Sequence, residues 1–241
     1  MQGAPVAGRY RLPRLWRGVP QVPHGGDGGE YRGAGVCGIL RRQVRNFRRR
    51  LLCGDDASVH PVFFAGRVLL WVGLAVWSLF FVFSPFTANF AGQSFLHGVN
   101  LLFHEAGHVI FGFFGDFLRV LGGTLGQLLM PTICFAALLL HQRDPFTAAV
   151  ALWWVGENLL DIAPYVGDAR ARELMLLGGV TGRDVPGYHD WEQLLGWLGW
   201  LEADRFLAVT LHGLGVAGLL LALAWGAFVL TRQRRTLSWD A

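Results

Sequence analysis

The chain contains no lysine, because its 21 basic residues are all arginine, against 17 acidic residues. A Gly-rich phosphate loop that ends in lysine therefore cannot form, which excludes nucleotide hydrolysis of that type, and we expect no nucleotide partner. Cysteine is also scarce, since the chain has three that are widely spaced, Cys37, Cys53 and Cys134. This number and spacing exclude a disulfide framework and a cysteine zinc ribbon.

Charged residues are also scarce. Charged residues are 16% of the 241 residues and hydrophobic residues are 53%, whereas a soluble domain carries about 25% charge. Residues 1–60 hold 11 Arg and four acids, so the remainder holds 10 Arg and 13 acids. The formal charge of +4 therefore arises in the first sixty residues, and the rest of the chain is mildly acidic.

Residues 1–60 also contain 11 Gly and have no sustained apolar period. Such a segment buries too little apolar surface to offset its ordering entropy, so we expect a disordered Arg/Gly-rich tail. It could bind anionic lipid, act as a nucleic-acid arm, or be a non-native start translated from an upstream codon. Its Arg/Gly/Pro texture is typical of GC-rich DNA outside a gene, which favours the non-native start or an idle tail, and no nucleic-acid partner.

From Pro61 onward the chain consists mainly of apolar segments of membrane length. About 20 residues span the hydrocarbon core of a bilayer, which predicts four or five spans. The predicted segments are Val62–Phe83, Phe95–Phe114, Val120–Leu140, Pro145–Tyr165 and Phe206–Leu230. We therefore expect an all-α polytopic membrane protein with about five transmembrane helices.

Two further elements are predicted from local composition. The Gly-Gly-Thr-Leu-Gly-Gln sequence of residues 122–127 could form a re-entrant segment buried in protein. Residues 191–201 contain three Trp, and Trp is favoured at headgroup depth, so we expect an interfacial helix there.

The sequence His104-Glu105-Ala106-Gly107-His108 is an H-E-x-x-H motif within the second apolar segment. Residues i and i+4 share one face of a helix, so both imidazoles can bind one Zn²⁺ ion. Glu105 can then take a proton from the attacking water. A purely structural motif would leave a glutamate in hydrocarbon, which is costly, so the metal site is favoured.

A catalytic zinc site needs a third protein ligand and an open position. Glu157 and Asp161 lie one helical turn apart in the fourth apolar segment and are our first candidates, with Asn158 beside them. One would bind the metal and the other would hold a ligand imidazole, or both could instead cap a helix or pair with an arginine. Asp168 and then His189 are the next candidates. We take the approach of Glu157 or Asp161 to the two histidines as the condition for a catalytic site.

Other polar residues receive weaker interpretations. Gln127 and Pro131 could line a substrate channel, because proline frees a backbone carbonyl and glutamine can bond an extended peptide. We place His97 on the side of its helix opposite the motif, at the membrane interface.

The His-Glu-Ala-Gly-His sequence inside an apolar span resembles the site-2 protease class of intramembrane zinc metalloproteases. In that class a later membrane segment supplies an aspartate ligand from a stretch rich in Asn and Pro, which residues 158–168 resemble. The family usually has Leu-Asp-Gly, whereas this chain has Gly167-Asp168-Ala169. The resemblance covers about Phe95–Asp168 and implies regulated intramembrane proteolysis.

A second resemblance is local. Gly156-Glu157-Asn158-Leu-Leu-Asp161 is similar to the Gly-Glu-Asn-x-x-Asp element of neprilysin-like gluzincins. That resemblance implies Glu157 as the metal ligand and Asp161 as the residue that orients a histidine.

Together these observations predict that residues 61–241 form a zinc metalloendopeptidase in a multi-pass membrane protein of the bacterial inner or plasma membrane. Its partners would be the lipid bilayer and a transmembrane or membrane-proximal protein substrate. The alternative is a non-proteolytic membrane protein in which the same residues form a structural or metal-handling site.

Overall fold

The computed structural model describes Leu52 and residues 59–240. The predicted tail of residues 1–60, with its proposed lipid, nucleic-acid and start-codon interpretations, lies almost wholly outside the described residues. The six main helices are α1 (Pro61–Phe83), α2 (Phe95–Phe111), α3 (Asp116–Ala136), α4 (Pro145–Gly167), α5 (Asp190–Leu198) and α6 (Asp204–Gln233). The described residues contain no β-strand, only two isolated bridges, so the all-helical fold is confirmed.

Three helices are long and apolar enough to cross a membrane: Pro61–Phe83, Asp116–Gln142 and Leu201–Thr236. They correspond to the first, third and fifth predicted spans. The two remaining predicted spans are helical, but they do not share this combination of length and apolar character. α2 has 17 residues and carries His97 and the motif, and α4 buries Glu157 and Asp161. A membrane crossing by these two helices therefore stays a prediction.

α4 lies at the centre of the described helices. Most of its residues are buried, and its closest neighbour is α6. A Cβ at Gly156 would lie 2.9 Å from the Leu219 nitrogen and 3.0 Å from the Gly215 oxygen, so the two backbones touch. Its N-terminal cap, Asp144, accepts hydrogen bonds from two backbone N–H groups and pairs with Arg67 of α1 at 2.7 Å. These contacts fix α4 as the support for the polar residues at its other end.

The glycines of residues 122–127 lie inside the unbroken helix α3, so the structure has no re-entrant loop at this position. Gly122 and Gly126 form a small-xxx-small pair, which lets helices approach closely. Gly107 of α2 packs against the Gly122 carbonyl, and Gly126 packs against the carbonyl of Phe103. The glycines that suggested a loop therefore let α2 and α3 pack as antiparallel neighbours.

Of residues 191–201, which were predicted as a helix, the first eight are helical in α5, which begins at Asp190 and ends at Leu198. Gly199 terminates it with a φ of 68°, a left-handed conformation that glycine adopts without strain. Trp197 and Trp200 are more than half exposed. Their position at a membrane interface remains a prediction. The segment between α4 and α5, residues 168–189, forms a loop beside the polar end of α4.

Candidate metal centre

His104 and His108 lie one turn apart on α2 and direct the same atom toward one carboxylate. The Oδ2 atom of Asp190 is 3.0 Å from His104 Nε2 and 3.2 Å from His108 Nε2. The three side chains form the one group of metal-ligating type found among the described residues, with ligand atoms within 4.8 Å of one another. The two motif histidines therefore converge as the sequence predicted, on a carboxylate that it did not predict.

A hydrogen bond from its backbone N–H holds Asp190 in place. It is the first residue of α5, and its N–H donates a hydrogen bond of 2.8 Å to the Tyr165 hydroxyl. Preceding it, His189 caps α5 by accepting from the Glu192 N–H, and its ring lies 4.4 Å from that of Tyr165. A helix start anchored on the C-terminal end of α4 therefore fixes the third candidate ligand.

Both motif histidines are oriented through their second ring nitrogen by α3. His104 Nδ1 lies 3.2 Å from the Gln127 Oε1, and His108 Nδ1 lies 2.8 Å from the Arg119 carbonyl oxygen. Because both partners are acceptors, each Nδ1–H donates, which leaves each Nε2 as the ring atom that faces Asp190 and would bind a metal. Metal-binding histidines are commonly held in this way by an oxygen acceptor.

Gly123 of α3 lies opposite the two Nε2 atoms and has no side chain to fill the space between them. A Cβ at Gly123 would lie 2.5 Å from His104 Nε2 and 2.6 Å from His108 Nε2. Residues 119, 123 and 127 are each four apart, so they share one face of α3. This face therefore presents a carbonyl, an empty position and an amide oxygen toward the histidines.

These residues fit a zinc ion. In a tetrahedral site with bonds of 2.0–2.1 Å, ligand atoms lie about 3.3 Å apart, close to the observed 3.0 and 3.2 Å. Two imidazole nitrogens and one carboxylate oxygen form a common catalytic ligand set that leaves a fourth position open. The absence of a side chain at Gly123 provides space beside the ligand atoms.

The electrostatics of Asp190 also fit a cation site. Burial would raise the pKa of this carboxyl, but hydrogen bonds to the two imidazoles outweigh burial and lower the pKa to about 2. Asp190 is therefore ionised at neutral pH, which is the form that binds a divalent ion.

Glu157 and Asp161 make no hydrogen bond to either motif histidine and do not belong to the metal-ligating group, so these two acids do not meet the condition that we set from the sequence. Asp161 instead accepts hydrogen bonds from Gln127 and Asn100 and lies 2.9 Å from His97 Nδ1. Glu157 is fully buried, and its Oε2 accepts from Asn100 at 2.9 Å. Asp161 therefore reaches His104 only through the Gln127 side chain, and Asp190 occupies the position expected for these acids.

The other predicted ligands have structural partners. Asn158 donates to the Trp154 carbonyl. Asp168 accepts from the backbone N–H groups of Glu173 and Leu174 and lies 3.4 Å from the ring of His189. Burial would raise the pKa of Asp168, but His189 and these backbone donors lower it. None of these side chains belongs to the metal-ligating group. Asp168 and His189 instead stabilise the loop that leads to Asp190.

A cavity of about 550 Å³ opens onto the three candidate ligands. Glu105, Gln127 and Tyr165 line it, as do residues 174–178 of the loop. Pro131 is not among the lining residues and lies within α3. Glu105 is therefore available at the cavity surface beside His104. Gln127 lines the cavity and Pro131 does not, and a substrate channel stays a prediction.

His97 lines the same cavity, so its placement on the opposite side of α2 was wrong. His97 precedes His104 by seven positions, and residues i and i+7 share one face of a helix. The spacing alone should have grouped His97 with the motif. For Asp190, the available signal was its position just before the predicted Trp-rich helix and just after the candidate His189.

Comparison with family models, curated proteins and solved structures finds no match to the chain. The resemblance to the site-2 protease class therefore rests on the motif and its surroundings alone.

Gly123→Ala should weaken zinc binding by about 10- to 100-fold, the range seen when the groups that orient metal ligands are disturbed. The new methyl group would displace both Nε2 atoms. Because alanine is favoured over glycine in a helix interior by about 1 kcal/mol, the fold itself should not suffer. Zinc affinity measured by competition with a chromophoric chelator tests this.

Gly73→Ala in α1 is the matched control, because a Cβ there meets nothing within 4 Å. Unchanged zinc affinity in Gly123→Ala would show that the space between the histidines is not the metal position.

Proposed function

We propose that the protein is a membrane-embedded zinc metallopeptidase that hydrolyses peptide bonds of membrane-protein substrates. The observation that carries this proposal is that His104, His108 and Asp190 converge at a cavity that Glu105 also lines. A structural metal site is normally closed by four protein ligands, whereas the described residues supply three here, beside an open cavity. The resemblance of the motif to site-2 proteases adds support.

His104, His108 and Asp190 would hold the ion. Zinc, when bound, would polarise the scissile carbonyl and make the attacking water more acidic. Glu105 would accept the proton of that water as its oxygen bonds to the carbonyl carbon. The same proton would then pass to the amide nitrogen as the C–N bond breaks, which leaves a carboxylic acid and an amine.

The membrane setting is part of the same proposal. The three helices long enough to span a bilayer would be joined by α2 and α4 in a multi-pass protein of the inner or plasma membrane. A substrate helix must unwind locally to expose its carbonyl group. We therefore expect transmembrane segments that contain Gly and Pro near their centre.

Removal of zinc tests the proposal directly. The purified protein, reconstituted with a single-span fusion that carries a Gly-Pro-Gly sequence in its transmembrane segment, should cleave the fusion. Cleavage should stop after treatment with a zinc chelator and return when zinc is added. The readout is the appearance of the two fragments on a gel.

A fusion with an all-Leu transmembrane segment is the control substrate and should be cleaved more slowly. Cleavage that persists without metal would exclude the mechanism. Zinc binding without cleavage of either fusion would instead favour a structural or metal-handling role for the same residues.

A further inference from the structure

The cavity has a second polar end that the proposed chemistry does not use. His97 lines it beside Leu101, on the same face of α2 as His104. Its side chain is 42% exposed, although its neighbour Asp161 is only 2% exposed. An imidazole is therefore presented at the cavity wall about two helical turns along α2 from the candidate metal centre.

A contact with Asp161 at Nδ1 fixes the orientation of this imidazole. His97 Nδ1 lies 2.9 Å from Asp161 Oδ1, and Asp161 Oδ2 accepts from Gln127 at 2.9 Å and from Asn100 at 3.1 Å. Asp161 cannot turn toward a ligand without breaking these bonds. Within the described residues, His97 Nε2 has no hydrogen-bond partner, so this atom is available to a molecule in the cavity.

The same side chains connect His97 to the metal centre. Gln127 bonds Asp161 through its nitrogen and His104 through its oxygen. Seven residues of helix, at 1.5 Å each, place His97 about 10 Å along α2 from His104. An extended peptide rises about 3.3 Å per residue, so about three residues would bridge the two imidazoles.

We propose that His97 is a substrate-positioning residue, whose Nε2 hydrogen-bonds the main chain of an extended peptide about three residues from the scissile bond. Asp161 fixes the imidazole for this contact. The inference rests on the proposed function and deepens it, because it assigns a subsite that recognises peptide backbone rather than a particular side chain. It also gives the buried acid Asp161 a role at the substrate.

Zinc-binding probes of increasing length test this subsite. Acetohydroxamate contacts the metal alone, whereas alanine peptides of one to four residues that end in a hydroxamate extend into the cavity. A second series, with the hydroxamate attached through a succinyl group at the N-terminus, covers the opposite chain direction. Affinity for the zinc-loaded protein would be measured by calorimetry.

In the wild type, one series should gain about tenfold in affinity near the third residue, the gain expected of one well-oriented hydrogen bond. His97→Leu should remove that gain but leave acetohydroxamate binding and zinc content unchanged. His97→Gln should recover part of it, because an amide can also bond the main chain. His212→Leu, a histidine on α6 outside this cavity, is the matched control and should change nothing.

A length-dependent gain that survives in His97→Leu would overturn the subsite while leaving the metallopeptidase proposal intact, as would the absence of any gain in both series. Failure of acetohydroxamate to bind the zinc-loaded wild type would overturn the open metal site itself, and with it the proposed function and the subsite.

Discussion

Asp190→Asn should lower the affinity for zinc by more than about 100-fold, beyond the range caused by loss of a group that only orients a ligand. The substitution keeps the shape of the side chain but removes the charge that faces both imidazoles. Asp190 Oδ2 is the atom that His104 and His108 share, at 3.0 and 3.2 Å. Zinc content after dialysis and competition with a chelator would measure the loss.

Asp161→Asn is the matched variant, because it makes the same chemical change at the acid that the sequence favoured. Asp161 reaches His104 only through Gln127, so its substitution should cost no more than about 10- to 100-fold. Thermal unfolding of both metal-free variants would verify that they remain folded. Zinc loss in Asp161→Asn with full retention in Asp190→Asn would contradict the ligand set proposed from the structure.

The helical fold was predictable because long apolar runs with little charge leave few alternatives. The segment predicted as Val62–Phe83 is the helix Pro61–Phe83, whose start is favoured by proline in the first turn. Composition was less informative at residues 122–127, where glycines permit both a loop and close helix packing. In the structure Gly126 packs against the carbonyl of Phe103, and Gly107 packs against that of Gly122. These are tertiary contacts that no local sequence pattern contains.

The two histidines and Glu105 were predictable because their spacing follows the helix period. The third ligand was not, because Asp190 lies 82 positions after His108 and is brought there by the fold. The preference for acids inside apolar segments rested on the cost of burying charge. That cost is real for Asp161, and the structure offsets it with polar contacts to Asn100, Gln127 and His97.

The polar residues of this site have two different roles. Asp190 supplies charge at the candidate metal position, while Gln127 bonds His104 through its oxygen and Asp161 through its nitrogen. The resemblance to gluzincins implied Glu157 as ligand and Asp161 as the residue that orients a histidine. In the structure Asp161 does lie against a histidine, although this is His97 and not a motif residue.

Glu105→Gln should retain zinc and lose cleavage by about 10²- to 10⁴-fold, the contribution typical of a general base. Glutamine keeps the size and polarity of the side chain but cannot accept the proton of the attacking water. Glu105 lines the cavity beside the candidate ligands without belonging to the metal-ligating group, so the metal should stay. Fragment yield from the Gly-Pro-Gly fusion and zinc content of the same sample give the two readouts.

Glu202→Gln is the control, because this acid is 87% exposed, pairs with Arg170 and lies outside the cavity. It should cleave as the wild type does. Full cleavage by Glu105→Gln would remove the proton acceptor from the mechanism, and with it the reason to assign hydrolysis to this site. Loss of zinc in the same variant would instead make Glu105 a ligand, which would close the open position that the reaction requires.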